Sequence, residues 1–488
     1  MTVHAWNSEY EPVIGLEVHA QLNTVSKMFC GCDAQYSGAA PNSHVCPVDL
    51  GLPGSLPVIN ERALEMAIMA ALAFNCEVAE VTRFDRKNYP YPDIPKGYQI
   101  SQYDTPIGQN GHVEIESGGT TRTIGIIRVH LEEDTGKTIH ANVDGREVSL
   151  VDYNRSGVPL LEIVSQPDIR TPEEARAYFS ALREILVFMG VNSGDMQEGS
   201  LRADVNVSVR KHGADHGVKI EIKNLNSFRS VARALDYEIE RQIVILERGD
   251  YLFQETRGWD ESREITVAQR SKEFAEDYRY FPEPDLPVLR LTRERVDAIR
   301  AKLPERASAM RTRFVEQYGL SQADAAVLTQ DPVLARLLDE TLRFAPGSDP
   351  KAIANWLTGE FLRLLRETGT PIESSKITAE GLGALVTLVA KGTITTAIGK
   401  TIFEEMFQTG AAPESIVAEK GLEQISDQSE LETVVRQVLD ENPALVADYI
   451  SKDGKTVGPL VGKVMAETRG KANAALVKEI IAEQLKQS

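Results

Sequence analysis

Two polar side chains near the amino terminus alternate with apolar ones. In the stretch IGLEVHAQL, Glu17 and His19 are separated by Val18, so in a β-strand both would project from the same face. A carboxylate beside an imidazole suits divalent-metal binding or general acid–base chemistry. A half-exposed strand with a polar outer face would give the same pattern, so both interpretations stay open at this point.

Further acidic side chains occur in later segments that are typical of strands. In the segment IIRVHLEEDTGK, the predicted strand ends with Glu132, Glu133 and Asp134. Glu162 lies in the hydrophobic run VPLLEIVSQPD, where an unpaired carboxylate would be costly to bury. LRADVNVSVR places a row of polar residues on one face: Arg202, Asp204, Asn206, Ser208 and Arg210. Oxygen ligands with one imidazole fit magnesium or manganese better than zinc, so these strands could converge on a magnesium-dependent phosphate site. A sheet with one solvated face is the alternative.

A long irregular segment, FDRKNYPYPDIPKGYQISQYDTPIG (84–108), is rich in Pro, Gly, Asp and Tyr. Long ordered loops of this kind often carry function. Asp85, Arg86 and Lys87 begin it, and the two cations could clamp a phosphate. DYRYFPEPD (277–285) is a second loop of similar character. For either segment, the alternative is a loop that is merely anchored by its tyrosines.

The stretch FCGCDAQYSGAAPNSHVCPVDLGLPG (29–54) contains three of the four cysteines of the chain. Cys30 and Cys32 are one residue apart, and Cys46 follows a turn-rich loop. Asp49 stands where a C-x-x-C pair would place a fourth thiolate. Three thiolates and one carboxylate could bind zinc tetrahedrally, with His44 as a rival fourth ligand. Free thiols or a weakened site are the alternatives.

Composition excludes several classes of protein. The chain has 488 residues, of which 42% are hydrophobic and 26% charged, as in soluble globular proteins of several domains. The net charge of −19 argues against indiscriminate nucleic-acid or membrane binding, although it allows a local basic patch. The low cysteine content argues against a disulfide framework. Because neither a secretory signal nor an apolar run of about 18 residues is found, we expect a cytoplasmic protein.

The pattern of elements changes along the chain. Residues 1 to about 290 are mostly strands and turns with a few helices, which indicates an α+β fold with an antiparallel sheet. The proline-rich segment 281–292 then marks a boundary, after which the pattern is helical, and a second break lies at 408–415. The predicted domains are therefore 1–292, 293–410 and 411–488. The last one contains basic residues that form either a binding patch or a solvated helical face: Lys452, Lys455, Lys463, Arg469, Lys471 and Lys478.

The starts of helices are clearest at two places in the sequence. Asn60 precedes an apolar-periodic run and is a good N-cap, and Thr171 followed by Pro172 is another.

Some common enzyme motifs are missing from the sequence. The segments TGKT (135–138) and DGKT (453–456) lack the preceding glycine of a P-loop. Neither a G-x-S-x-G elbow nor a coherent serine-amidase or cysteine-glutaminase signature is present.

Several long motifs, in this order, resemble one family closely. They are VIGLEVHAQL, SKMFCGC, VCPVDLGLPGSLPVIN, FDRKNYPYPDIPKGYQISQYD, LVDYNRSGVPLLEIVSQPDI, DYRYFPEPD and GKTVGPLVGKVMAETRGKAN. The chain resembles the B subunits of the bacterial glutamyl/aspartyl-tRNA amidotransferases, and the resemblance runs from about residue 10 to the carboxyl terminus.

This resemblance implies a function and partners. Such B subunits use ATP and Mg²⁺ to phosphorylate the side-chain carboxylate of misacylated Glu-tRNA(Gln) or Asp-tRNA(Asn), and ammonia then displaces the phosphate. A glutaminase A subunit releases the ammonia, and a small C subunit links the other two. The implied fold is an antiparallel-sheet catalytic cradle related to glutamine synthetase, followed by an all-α helical domain and a small all-α tail domain that engage the tRNA.

The resemblance also assigns residues. It maps the magnesium ligands of the family onto Glu17, His19, Glu133 and Glu162. Lys87 matches a lysine of the active-site loop, and we expect catalysis to depend on Lys87, Glu17 and Glu133. By our own inference, cofactor binding involves Asp85, Arg86, Asp204 and Asn206, and Glu132 has a supporting role.

Two further interpretations depend on the family pattern. Many members carry C-x-C…C-x-x-C and bind structural zinc, whereas others lack these cysteines, so the candidate zinc site at Cys30, Cys32, Cys46 and Asp49 would be structural. The alternative to an enzyme is a tRNA-binding scaffold with an inactive site. The intact set of family residues favours the enzyme.

Overall fold

The alternating segments of the amino-terminal half form strands of one large sheet, as their period of two predicts. The computed structural model describes residues 9–271, 278–422, 428–452, 456–468 and 470–486. The chain divides into two units, Met1–Arg306 and Ala307–Ser488, and each is described by itself. The predicted domain boundaries at residues 292 and 410 stay predictions; the first unit extends past residue 292 to include one more helix.

The strands of the first unit range in length from 2 to 14 residues. Within its described residues they are β1 (Tyr10–Gln21), β2 (Glu77–Val78), β3 (Val81–Thr82), β4 (Asp85–Asn88), β5 (Tyr98–Ser101), β6 (Gly108–Ser117), β7 (Thr120–Glu133), β8 (Lys137–Val143), β9 (Arg146–Asp152), β10 (Pro159–Ser165), β11 (Leu201–Lys211), β12 (Ile220–Leu225), β13 (Glu255–Asp260), β14 (Ile265–Ser271), β15 (Phe281–Pro282) and β16 (Leu289–Arg290).

Twelve of these strands form the large sheet. Its order is β14-β13-β12-β11-β1-β10-β7-β5-β4-β15, with β6 paired to β7 and β2 paired to β6. The described pairs are antiparallel except for β12 and β13, which are parallel. The small pairs β3–β16 and β8–β9 are separate from it. The predicted α+β class with a mainly antiparallel sheet is therefore confirmed.

Four helices accompany the sheet in the described part of the first unit: α1 (Glu61–Ala73), α2 (Pro172–Phe188), α3 (Phe228–Glu247) and α4 (Arg293–Arg300). The Asn60 side chain accepts hydrogen bonds from the backbone N–H groups of Arg62 and Ala63, and the Thr171 side chain accepts one from Glu174. Both predicted N-caps are confirmed.

One face of the sheet forms the core of this unit. Ile14, Leu16 and Val18 of β1 are at most 1% exposed. Helices α2 and α3 pack against each other, α2 also packs against β1, and α3 against β11. From α3, Leu235 and Ile239 are completely buried. The apolar half of the alternating pattern thus meets the helices, and the polar half of β1 faces the other way.

The second unit is helical throughout its described residues. Its elements are α5 (Ala307–Glu316), α6 (Gln322–Leu328), α7 (Pro332–Phe344), α8 (Pro350–Asn355), a π-helical segment (Trp356–Phe361), α9 (Leu362–Thr368), a 3₁₀ turn (Ile372–Ser374), α10 (Ala379–Ala390), α11 (Thr396–Thr409), α12 (Pro413–Lys420), α13 (Gln428–Glu441), α14 (Pro443–Ser451), α15 (Gly458–Glu467) and α16 (Ala474–Lys486). Proline begins α7, α8, α12 and α14, where its missing N–H group has no helical partner to lose.

The carboxyl-terminal helices have an apolar cluster of their own. Helices α13, α15 and α16 contribute the completely buried side chains Leu431, Leu460, Val464, Val477 and Ile481 to it. The basic residues predicted for this region include Lys455 and Arg469, which lie outside the described residues. Among the helices that the structure describes, none combines the length and apolar character needed to cross a bilayer.

Candidate active site

Antiparallel register brings polar residues of four strands into one row. His19 of β1 lies opposite Glu162 of β10 on one side and opposite Arg202 of β11 on the other. Glu162 lies in turn opposite His130 of β7. Because directly opposed residues project from the same face of a sheet, two imidazoles, a carboxylate and a guanidinium share the polar face.

His19, Glu132 and Glu162 form a first candidate metal site, here called the sheet cluster. One ligand atom from each residue lies within 4.8 Å of the other two. His19 Nε2 is 3.5 Å from Glu162 Oε2 and 4.0 Å from Glu132 Oε1. Both carboxyl groups are buried. Two carboxylates and one imidazole suit a divalent cation such as Mg²⁺ or Mn²⁺.

The carboxyl groups of the sheet cluster are poised to bind a cation. Burial raises their pKa values, but nearby positive groups have the larger combined effect. His130 and His19 hold the pKa of Glu162 well below its ordinary value. His130 and Lys87 likewise lower the pKa of Glu132. Both carboxylates are therefore ionised at neutral pH.

His130 supports the cluster from β7. Its Nε2 atom lies 3.4 Å from Glu162 Oε2 and 3.8 Å from Glu132 Oε2. Burial lowers the pKa of His130, yet the carboxylates of Glu162 and Glu132 outweigh it and raise the pKa to about 9. The protonated ring therefore lies between the two carboxylates as a positive charge, while its buried Nδ1 atom has no hydrogen-bond partner among the described residues.

Lys87 of β4 is electrostatically coupled to the same cluster. Burial lowers the pKa of its ammonium group, but Glu132, Glu162 and Glu17 raise it above the ordinary value. The Lys87 Nζ atom also lies 5.0 Å from the centre of the Tyr278 ring. A charged amine is thus coupled to the carboxylates, and the catalytic role expected for Lys87 stays a prediction.

Glu17 lies on the same face but is held by other contacts. It is opposite Asp204, and Asn206 Nδ2 donates a hydrogen bond of 2.8 Å to Glu17 Oε1. Asp204 accepts a hydrogen bond of 2.6 Å from Lys223 Nζ. The structure therefore places Glu17, Asp204 and Asn206 beside the sheet cluster, with Asn206 orienting the Glu17 carboxylate.

Glu133 is not brought into the sheet cluster. Its Oε1 atom accepts hydrogen bonds from Lys96 Nζ and, at 2.9 Å, from the backbone N–H of Ile100. The physical reason is strand alternation, because neighbouring residues of a strand point to opposite faces. Glu132, for which only a supporting role was predicted, takes the cluster position instead.

Asp85 and Arg86 make mainly structural contacts. Asp85 Oδ2 accepts a hydrogen bond of 3.1 Å from the backbone N–H of Tyr103. Arg86 makes a two-pronged ion pair with Glu283, with distances of 2.6 and 2.8 Å. This pair joins β4 to the loop that carries the sequence YFPEPD, so both residues hold the walls of the site in place.

Sequence reasoning missed two cluster neighbours and undervalued a third residue. Arg128, His130 and Glu132 alternate along β7, and Arg128 Nη2 is 4.0 Å from Glu162 Oε1. Strict application of the period of two to IIRVHLEED would have found all three, because Val129 and Leu131 occupy the buried opposite face. The sequence alone did not show which of the adjacent residues Glu132 and Glu133, at the end of β7, projects from the polar face.

A second candidate metal site, here called the loop cluster, lies between β1 and α1. Ligand atoms of Cys30, Cys32, Cys46 and Asp49 lie within 4.8 Å of one another. Cys30 Sγ is 3.5 Å from Asp49 Oδ1. Burial raises the pKa of Cys32 to about 11, and a bound metal would stabilise the thiolate form. Three thiols and a carboxylate fit a tetrahedral zinc site.

Asp49, and not His44, completes the loop cluster within the described residues. Asp49 Oδ2 accepts a hydrogen bond of 2.9 Å from the backbone N–H of Cys46 and lies 3.4 Å from Lys27 Nζ. Lys27 is completely buried and donates a hydrogen bond of 2.6 Å to the His44 carbonyl oxygen. These contacts leave Asp49 Oδ1 directed at Cys30.

Comparison with known proteins identifies the family. Residues 12–297 match the family described as the GatB/GatE catalytic domain, and residues 338–485 match the family described as the GatB domain. A protein from Carboxydothermus hydrogenoformans, named as the B subunit of an aspartyl/glutamyl-tRNA(Asn/Gln) amidotransferase, is 55% identical over 479 residues, which are 98% of this chain and 99% of that protein. The chain belongs to this family of amidotransferase B subunits.

Other relatives agree with this assignment. Proteins of the same name from Thermoanaerobacter sp. and Roseiflexus sp. are 53% and 52% identical, and each match covers 98% of this chain. The sheet cluster, Lys87 and the loop cluster all lie inside the region that matches the catalytic domain. As a family member, the chain is part of a glutamine-hydrolysing amidotransferase, which is a carbon–nitrogen ligase.

Proposed function

We propose that this chain is the kinase and transamidase half of an amidotransferase that acts on misacylated tRNA. Its substrates would be ATP together with Glu-tRNA(Gln), Asp-tRNA(Asn) or both. The relatives named above support the tRNA substrates. The observation that carries the proposal is the electrostatic coupling of the charged Lys87 to the ionised sheet cluster. A divalent cation held by the carboxylates, together with the Lys87 ammonium, would neutralise a polyphosphate.

The site residues would divide the work of phosphoryl transfer. His19, Glu132 and Glu162 would hold Mg²⁺, which when bound neutralises negative charge on the phosphate oxygens. Lys87 supplies a second positive charge where the γ-phosphoryl group is transferred. His130 would hold the two carboxylates in place through its positive charge, which lies 3.4 Å from Glu162 Oε2 and 3.8 Å from Glu132 Oε2. Arg128 lies next to Glu162 and can bind a further phosphate oxygen.

The proposed reaction has two steps. An oxygen of the side-chain carboxylate on the tRNA forms a bond to the γ-phosphorus of ATP, and the bond from that phosphorus to the ADP oxygen breaks. Ammonia then attacks the activated carbonyl carbon, and inorganic phosphate leaves with the electrons of the carbon–oxygen bond. Water must be kept away from the acyl phosphate, and the buried setting of Glu132 and Glu162 is consistent with that need.

A structural zinc ion is the proposed occupant of the loop cluster. The geometry of Cys30, Cys32, Cys46 and Asp49 supports it. The completely buried ammonium of Lys27 supports it as well, because a site of three thiolates and one carboxylate would carry excess negative charge that a neighbouring cation offsets.

We also propose that the chain works in the cytoplasm in a heterotrimer with a glutaminase A subunit and a small C subunit. The predicted domains 293–410 and 411–488 would engage the tRNA. Within the tail, Lys463 and Lys478 are exposed and suited to phosphate contacts, so tRNA binding should weaken as the salt concentration rises.

A deletion tests the role of the tail in tRNA binding. Deleting the chain after residue 412 should weaken tRNA binding and leave basal ATP hydrolysis; unchanged tRNA affinity would refute a tRNA-binding role of the tail.

The test of the main proposal combines the chain with A and C subunits, misacylated tRNA and γ-labelled ATP. Wild type should release labelled phosphate faster when misacylated tRNA is present than in the basal reaction without it. His19→Ala should lose this release but still bind tRNA, whereas Glu114→Gln, an exposed glutamate on β6, should behave as wild type. Binding of tRNA without phosphate release by the wild type would instead support a scaffold with an inactive site.

A further inference from the structure

Four tyrosines form a continuous aromatic group beside the sheet cluster. The rings of Tyr103 and Tyr280 are stacked, with centroids 4.0 Å apart and an interplanar angle of 10°. Tyr278 meets Tyr280 edge-on at 5.9 Å and Tyr89 at 5.6 Å. Tyr103 nevertheless exposes 47% of its surface. Tyr280 therefore covers one face of the Tyr103 ring, and part of Tyr103 stays accessible to a ligand; this accessible side is called the open face of the stack.

The stack lies close in the chain to a residue that contacts the sheet cluster. Tyr103 follows Ser101 by two residues, and Ser101 Oγ is 3.3 Å from Glu132 Oε2. Burial and the carboxylates of Glu132 and Glu162 raise the pKa of Tyr280, which places its phenol within electrostatic reach of the sheet cluster.

The stack is also held rigidly from both sides. The side chain of the buried residue Asp85 accepts a hydrogen bond of 3.1 Å from the backbone N–H of Tyr103. On the opposite side, Asn88 binds the loop that carries Tyr278 and Tyr280: its backbone N–H donates to the Tyr278 carbonyl oxygen at 2.9 Å, and its Nδ2 donates to the Arg279 carbonyl oxygen at 2.8 Å. A surface ordered in advance binds a flat ligand without losing further conformational entropy.

We propose that the open face of the Tyr103–Tyr280 stack is the platform for an adenine ring. This inference rests on the proposed function, because both proposed substrates carry adenine: ATP itself, and the 3′-terminal adenosine to which the amino acid is attached. An aromatic face binds a nucleobase by stacking. The shared chemistry is one adenine beside Glu132 and Lys87, and experiment must decide which substrate supplies it.

The alternative is that the tyrosines only anchor the loop to β5, and the test must separate these roles. Tyr103→Leu keeps an apolar side chain but removes the ring. Tyr103→Phe should restore what Tyr103→Leu loses. Tyr251→Leu is the matched control, because Tyr251 is an exposed tyrosine that follows α3. All variants are compared in the complete amidotransferase, with thermal unfolding as a check on folding.

Two arms of binding measurements distinguish the sources of adenine. The first compares dissociation constants for ATP and for ribose 5′-triphosphate, which lacks the base. The second compares intact tRNA with tRNA trimmed of its terminal adenosine. In one arm, wild type should prefer the adenine-bearing ligand by about ten-fold or more, and Tyr103→Leu should reduce that preference to within about two-fold. The arm in which Tyr103→Leu loses the preference identifies the substrate that supplies the adenine.

Three outcomes would overturn the proposal. In the first, wild type shows no preference for adenine in either arm. In the second, the preference survives in Tyr103→Leu. In the third, Tyr103→Leu loses affinity equally for base-bearing and base-free ligands, which would assign Tyr103 to anchoring. If Tyr103→Leu does not fold, Tyr103→Trp supplies a fluorophore that stacking adenine should quench and ribose triphosphate should not. Because these are binding measurements, they stand even if tRNA-dependent phosphate release, the test of the proposed function, is not observed.

Discussion

The two candidate metal clusters are built in opposite ways, although each gathers its ligand atoms within 4.8 Å. The sheet cluster takes residues 19, 132 and 162 from three strands, and its two carboxylates are buried. The loop cluster takes its ligands from residues 30–49, and its three cysteines are half-exposed. Long-range strand register positions the first, whereas a short turn-rich segment positions the second.

This difference predicts different roles for the metal. A register slip by one residue would reverse every side chain of a strand, so the buried sheet fixes the sheet cluster whether or not a cation is bound. A loop has no such constraint, and metal binding there contributes to folding. We therefore expect the sheet cluster to govern chemistry and the loop cluster to govern stability.

The largest expected difference is between substitutions at two neighbouring residues of β7, Glu132 and Glu133. Glu132→Gln removes a ligand of the sheet cluster and should lower the affinity for Mn²⁺, used as a probe for Mg²⁺, by at least about 100-fold, with loss of amidation. Glu133→Gln should also abolish amidation, because it leaves the buried Lys96 ammonium without its carboxylate, but should leave Mn²⁺ affinity within a few-fold. Paramagnetic resonance titration measures both.

The reverse result would contradict the assignment from the structure. If Glu133→Gln loses Mn²⁺ and Glu132→Gln retains it, the ligand inferred from family resemblance is correct, and the side-chain placement at the end of β7 is not. Both variants should keep tRNA affinity within a few-fold, which shows that the fold survives. A large loss of tRNA binding in either would indicate a structural carboxylate.

A smaller effect is expected for the residue that orients these carboxylates. His130→Asn removes the ring that lies 3.4 Å from Glu162 Oε2 without removing a ligand. Loss of a supporting contact of this kind typically costs about 10- to 100-fold in metal affinity, and we expect a value near the lower limit. Partial recovery of amidation at high Mg²⁺ would confirm a positioning role; no recovery would argue for a direct role in catalysis.

The same contrast explains what sequence could predict. The proximity of the four loop-cluster residues could be predicted, because all four fall in one short segment whose spacing resembles a known pattern, and the metal itself stays a prediction. His19 and Glu162 were predicted as well, because each stands out in an otherwise apolar strand. Glu132 was given a lesser role than Glu133, since the choice between adjacent residues depends on the face each occupies, and local spacing does not fix that at a strand end.

Other features depended on contacts that no local pattern contains. Arg86 was a plausible phosphate clamp by composition, but it pairs with Glu283, which lies 197 residues away. Asp204 likewise pairs with Lys223 of the neighbouring strand β12. The fold class was predictable because period-two and period-3.6 patterns are local, whereas the partners of charged residues are decided by the strand order of the sheet.

The loop cluster should respond mainly in stability. Cys46→Ser, or removal of the metal by a chelator, should eliminate bound zinc and lower the midpoint of thermal unfolding by about 2–5 °C. Mn²⁺ affinity of the sheet cluster should change less than about three-fold. Metal analysis with calorimetry checks this. Wild-type protein without zinc after metal-replete growth would rule out the site, and a large loss of Mn²⁺ affinity would show that the two clusters are not independent.

The smallest effect should tell whether Glu17 acts together with the sheet cluster. Asn206→Ala removes the 2.8 Å hydrogen bond to Glu17 Oε1, which frees a half-buried carboxylate without deleting it. We expect amidation to fall by about three- to ten-fold, which is about 0.6–1.4 kcal/mol and matches the net value of one ordinary hydrogen bond. In a Glu17→Gln background the same substitution should have little further effect, because the interaction is already weakened. Additive losses would mean that Asn206 acts through another partner and that Glu17 is positioned by strand register alone.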